Sequence, residues 1–129
     1  MNPVPVMRLV EIIKGHQTSK NTVETITSLT EQIEKVPLVA ADYPGFVANR
    51  ILLPMINEAI EALFQGVAEV EAIDEMMKLG MGHPMGPLRL ADFIGLDVCL
   101  SVLKYCTKDL GKINMPPVLY CATLLLPEI

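Results

Sequence analysis

Along the first 41 residues the spacing of apolar positions changes twice. From Val6 to Lys14 apolar and β-branched residues run almost unbroken between Pro3/Pro5 and Gly15, which predicts a short buried strand. On such a strand Met7, Leu9, Glu11 and Ile13 share one face. Residues 18–35 then carry Val23, Ile26, Leu29/Thr30 and Ile33 at three- and four-residue spacing, the stripe of an amphipathic helix, with Thr18 or Ser19 as its N-cap. Val36–Ala41 is a second short apolar run and a second strand. Strand, helix and strand in so short a stretch form the βαβ pattern of a parallel pair.

After Asp42 the helical period takes over. The stretch "DYPGFVANR" opens a long helix, expected over about 44–65, with Pro44 near its first turn, Pro54 inside it and Gly66 ending it. Its stripe comprises Asn49, Leu52/Leu53, Ile56, Ile60 and Leu63, leaving Arg50, Asn57, Glu58 and Glu61 on the solvent side. Further helices are expected at Glu69–Leu79, Pro87–Ile94 and Asp97–Leu110, with "GMGHPMGP" as a turn-rich loop and a last short helix at Pro117–Leu126. The expected division is therefore residues 1–41, strand–helix–strand, and residues 42–129, a helical domain. Two strands and one helix cannot cover both faces of a parallel sheet, so the first part reads as a piece of a larger sheet.

Composition narrows the function. Apolar residues make up 51% and charged residues 19%, which excludes a disordered chain and leaves apolar surface for a partner. The net charge of −5, without a Lys/Arg cluster, argues against nucleic acid or an anionic membrane as partner. No apolar run is long enough to span a bilayer. The start, "MNPVPVMRLVE", lacks the basic and apolar regions of a secretory signal. Cys99, Cys106 and Cys121, with only His16 and His83 beside them, lack zinc spacing and suit reduced thiols in a cytoplasm or mitochondrial matrix.

Two polar residues sit where the pattern calls for apolar ones. Glu11 lies between Leu9 and Ile13 on a strand face. Either it reaches the sheet rim or pairs with Arg8 or Lys14, or it orients a histidine as carboxylates do in acid–base dyads. Asn49 joins the apolar stripe of the long helix, where it either bonds backbone or converges on a ligand. His16 reads as a solvated loop residue, His83 as a structural or exposed one, and Met76, Met77, Met81 and Met85 as packing residues. The chain contains no G-x-G-x-x-G, P-loop or nucleophile elbow.

The stretches "NPVPVMRLVEIIKG", "DYPGFVANRILLPMINEA" and "IDEMMKLGMGHPMGPLRLADFIGLD", in this order, resemble the L-3-hydroxyacyl-CoA dehydrogenase family, most of all its 3-hydroxybutyryl-CoA branch. The resemblance runs from Asn2 to about Pro117. It implies a mainly α fold: a helical C-terminal dehydrogenase domain, similar to that of 6-phosphogluconate dehydrogenase, preceded by a remnant of a Rossmann sheet. It implies oxidation of 3-hydroxyacyl-CoA to 3-oxoacyl-CoA with NAD, an acyl-CoA substrate between two domains, and a homodimer through the helical one. Glu11 matches the glutamate that pairs with the family's catalytic histidine, Asn49 the asparagine near the reacting oxygen, and Asn2 another site asparagine. On this reading Asn49 is buried because its helix presents it to substrate. That histidine would fall two places before Met1, and the glycine fingerprint is absent, so the 129 residues alone are expected to be inactive and to hold NAD weakly. The far end, "YCATLLLPEI", departs from the family's tail. L-gulonate dehydrogenases share much of the pattern, and a non-enzymatic dimerisation or structural module, as in related crystallins, is the alternative.

Overall fold

The structure, a computed structural model, describes residues 3–110, with side chains as far as Cys106. Asn2, Cys121 and the helix expected at Pro117–Leu126 lie outside the described residues. The described chain is mainly helical and falls into two compact units, one ending at Val47 and one beginning at Ala48.

The first unit holds β1 (Leu9–Lys14), α1 (Lys20–Gln32) and β2 (Val36–Ala41). The strands pair in parallel, with Leu9 opposite Val36, Glu11 opposite Leu38 and Lys14 opposite Ala41. β1 begins three residues later than the apolar run suggests. Pro3 cannot donate to a ladder, and its carbonyl instead accepts from the N–H groups of Val6 (3.2 Å) and Met7 (3.1 Å), closing a turn before the chain extends. Ser19 caps α1, its Oγ accepting from the Thr22 N–H at 3.1 Å.

The expected stripe of α1 is only partly covered. Thr30 is the buried residue of this helix, its hydroxyl donating to the Ile26 carbonyl at 2.8 Å, whereas Ile26, Leu29 and Ile33 are exposed. A two-stranded sheet is too narrow to cover the whole apolar arc of a helix. Val36, Leu38 and Val39 on β2 are exposed as well.

Pro44 is not in the first turn of a helix. The Tyr43 carbonyl accepts from the Phe46 N–H at 2.9 Å and Gly45 takes φ +78°, so Pro44 and Gly45 occupy the central positions of a type II turn. Only glycine and a few others tolerate that third position, which explains the Pro-Gly pair. Phe46 follows at φ +49°, also left-handed, so the helix cannot start before it.

The second unit therefore opens with α2 (Ala48–Phe64), followed by α3 (Val70–Met81), α4 (Pro87–Ile94) and α5 (Leu96–Leu110). Its core is built from Leu53, Ile56 and Ile60 of α2, Ile73 of α3, Leu88 and Ala91 of α4, and Cys99 and Leu103 of α5. Each leucine or isoleucine among these, buried fully, contributes about 1.5–3 kcal/mol. α3 ends on Gly82 at φ +70°, whose N–H bonds the Met77 carbonyl.

α4 receives its N-terminal cap from a neighbouring helix. Asp74 of α3 accepts from the Leu88 N–H at 2.8 Å through Oδ1 and from the Arg89 N–H at 3.0 Å through Oδ2. A carboxylate there satisfies two orphan donors and faces the positive end of the helix dipole. Gly86 leaves room for it, since a Cβ at that position would lie 2.1 Å from Asp74 Cγ.

Candidate functional site

Glu11 sits mid-strand in β1, half-buried, between Leu9 and Ile13 on its own strand and opposite Leu38 on β2. The alternation of the strand puts the carboxylate on a face that is otherwise aliphatic. Such a group is held in place by its backbone far better than one on a loop, which suits a carboxylate that has to orient a partner.

Asn49 is the second residue of α2 and is exposed, which corrects the expectation that it is buried. The asparagine that α2 does bury is Asn57, only 2% exposed, which the periodicity had placed on the solvent side. Each difference has its own origin. With α2 starting at Ala48, its first turn projects past the packed part of the helix. The buried arc, Leu53, Ile56, Asn57 and Ile60, is also rotated toward Asn57 and away from Leu52. The Asn49 amide is thus exposed. Asn2, the third residue of interest, lies outside the described residues.

One turn along α2 from Asn49, Leu52 enters the wall of an apolar cavity of about 460 Å³. Met55 of α2, His83, Pro84 and Met85 of the connecting loop, and Leu90 and Phe93 of α4 complete it. Its size is ordinary for a small-molecule site, which typically falls within about 300–1,000 Å³. From the sequence, His83 is expected to be structural or exposed and Met85 a packing residue. The "GMGHPMGP" segment carried a signal for a tight turn but none for a cavity, because the opposite wall comes from residues some thirty positions earlier.

His83 is the polar side chain in this lining. A second cleft, of about 490 Å³, lies between α3 and α4, where Glu71, Asp74, Glu75, Lys78, Arg89 and Asp92 stand beside Val70, Pro84 and Met85. Among the described residues no group of three His, Cys, Asp or Glu side chains could hold a metal ion. No described helix is long and apolar enough to cross a membrane.

Cys99 and Cys106 are free and buried on α5. Burial pushes the Cys99 thiol up, and the nearby Asp97 carboxylate pushes it further. Burial also raises Cys106, with the Arg50 guanidinium partly opposing it. Neutral, enclosed thiols are poor nucleophiles, so neither belongs to a reacting centre.

The profile described as "3-hydroxyacyl-CoA dehydrogenase, C-terminal domain" matches residues 45–124, and that described as "3-hydroxyacyl-CoA dehydrogenase, NAD binding domain" matches residues 1–43. A probable 3-hydroxybutyryl-CoA dehydrogenase of Deinococcus radiodurans is 60% identical over 117 residues, covering 91% of this chain and 42% of the relative. One from Bacillus subtilis is 57% identical over 117 residues, covering 91% of this chain and 41% of that relative. The crystal structure of (S)-3-hydroxybutyryl-CoA dehydrogenase from Ralstonia eutropha superposes with a TM-score of 0.91 at 47% identity, covering 96% of this chain and 44% of the other. The chain thus spans less than half the length of the relatives it matches.

Proposed function

The chain belongs to the 3-hydroxyacyl-CoA dehydrogenase family, and on that premise we propose that its residues form the substrate-holding part of an NAD-dependent enzyme that interconverts 3-hydroxyacyl-CoA and 3-oxoacyl-CoA. The observation that carries this reading is the apolar cavity that begins one helical turn from Asn49. A short acyl chain fits its aliphatic and thioether lining. Asn49, at the exposed end of the same helix, would donate its amide N–H to the oxygen on the third carbon. That donor favours the polarised carbonyl in the transition state over the hydroxyl of the ground state.

Glu11 would accept the N–H of a catalytic imidazole, fixing its tautomer so that the other nitrogen takes the hydroxyl proton. Asn2 would add a further polar contact. Bound NAD supplies the hydride acceptor, but the residues present do not make its cradle. They contain no G-x-G-x-x-G, and the N-terminus of α1 is capped by its own Ser19. On this reading residues 1–41 are part of an NAD-binding domain and residues 42–129 a substrate-binding and dimerisation domain. The free thiols fit a cytoplasmic or matrix setting.

Titration of the isotope-labelled 129-residue chain with acetoacetyl-CoA, and separately with free coenzyme A, tests the reading. Shifts at Asn49, Leu52, Met55 and His83–Met85 that require the acyl group are the expected result. Identical shifts with both ligands, or none at these residues, would overturn it.

A further inference from the structure

In the first unit three backbone carbonyls converge on one side chain. The Lys35 ammonium donates to the carbonyl oxygens of Val4 at 3.1 Å, Pro5 at 3.0 Å and Met7 at 2.8 Å. An ammonium carries three N–H donors and no acceptor, so these bonds use its whole capacity. The carbonyls precede β1, where no strand ladder can take them. The turn that gathers them is closed by the Pro3 carbonyl, which accepts from Val6 and Met7.

The chain delivers the lysine to this point by a specific local device. Glu34 stands at φ +58°, its N–H bonding the Glu31 carbonyl at 2.9 Å, while the Lys35 N–H bonds the Thr30 carbonyl at 3.1 Å. This is the Schellman arrangement, with a glutamate where glycine is usual. One residue on, the Val36 N–H bonds the Arg8 carbonyl at 2.8 Å and opens the β1–β2 ladder. Residues 34–36 therefore end the helix, hold the Pro3–Met7 turn and start the sheet in three consecutive steps.

We propose that Lys35 is a positioning residue for the candidate site: its ammonium fixes the Pro3–Met7 turn that leads into β1 and Glu11. The role of Glu11 rests on the dehydrogenase reading above; the clamp itself does not. Three acceptors meeting at one point suit a compact ammonium. A guanidinium spreads its donors in a plane and cannot meet all three, so charge alone does not replace the lysine.

The first test uses the labelled 129-residue chain. The wild type is expected to show a slowly exchanging Lys35 ammonium signal coupled to the carbonyl carbons of Val4, Pro5 and Met7. An ammonium that exchanges like that of an exposed lysine overturns the proposal without any variant. In both Lys35→Met and Lys35→Arg, amide exchange at Val6 and Met7 should rise about tenfold or more, while Ile12 in β1 keeps its protection. Unchanged protection at Val6 and Met7 would equally sink the idea.

The second test joins the chain behind the NAD-binding half of the Bacillus subtilis relative. Here Lys35→Met should lower kcat by about tenfold to a hundredfold, as small misplacements at a reacting centre do, with KM for acetoacetyl-CoA little changed. Lys35→Arg should not restore it. Wild-type kcat in Lys35→Met would overturn the positioning role. An inactive wild-type fusion would count against the dehydrogenase reading, and the ammonium signal would still decide the clamp.

Discussion

Asn57 is the residue at which local pattern and packing disagree most sharply. It is buried in α2, and its Oδ1 has no hydrogen-bond partner among the described residues. A buried acceptor left so costs about 1–3 kcal/mol, whereas an apolar side chain of similar size at the same point costs nothing of this kind. Asn57→Leu is therefore expected to stabilise the chain by about 1–2 kcal/mol in urea unfolding. A fall in stability would mean that the amide serves a contact worth more than its desolvation. Cys99 and Cys106 give a pH dependence at the same scale. Their thiols are raised in the folded chain, so the folded state holds those protons more tightly than the unfolded one. The stability this contributes is complete below the ordinary thiol range, about 8.5, and is lost as pH rises through the folded values. The urea midpoint should fall above that pH, and less steeply in Cys99→Ala than in the wild type.

The contact of α3 with α4 depends on a pairing that neither helix carries alone. Asp74 supplies the cap, and Gly86 supplies the space in front of it. Gly86 does not have a left-handed φ; its angles are −67° and 154°, which any residue adopts. Its constraint is the carboxylate 2.1 Å from where a Cβ would stand. Gly86→Ala should thus cost about 1–3 kcal/mol through displaced packing, and Asp74→Ala about 0.5–2 kcal/mol through the lost cap. The double variant should cost clearly less than the sum, because removing the carboxylate removes the clash. Additive effects in a double-mutant cycle would show that the two positions act separately.

At the scale of the whole molecule, the described helices leave large apolar side chains exposed. α3 exposes Met76 at 65% and Leu79 at 82%, three residues apart and so on one side of the helix, while Phe93 on α4 is 74% exposed. We propose that part of this surface meets a second copy of the chain, two-fold pairing being the commonest arrangement. A dimer at micromolar concentration is expected in sedimentation equilibrium. The pair Met76→Lys and Leu79→Lys should shift it to monomer, and Leu38→Lys on β2 should leave it intact. A wild-type monomer, or a dimer indifferent to the α3 changes, would remove the helical interface and point to the open strands of the first unit instead.

Much of the secondary structure needed no tertiary information. Val36–Ala41 and Pro87–Ile94 emerge with the bounds that apolar runs, Pro at a first helical position and a following Gly predict, and Ser19 caps α1 as its hydroxyl allows. These features are written in neighbouring residues, and neighbouring residues are what periodicity and capping read. The three stretches that carry the family resemblance were legible for the same reason: they are continuous. Other features were set only when distant segments met. Whether Asn49 or Asn57 is buried depends on where α2 starts and how its packed neighbours rotate the covered arc. Ile26, Leu29 and Ile33 form a correct helical stripe, yet two strands are too few to cover it. The lining of the cavity brings α2 to the 83–85 loop, Asp74 caps a helix fourteen residues away, and Lys35 reaches carbonyls twenty-eight to thirty-one residues back. A hydrogen bond or a cavity wall between such positions leaves no period in the chain, because its two halves are joined by the fold and not by the sequence between them.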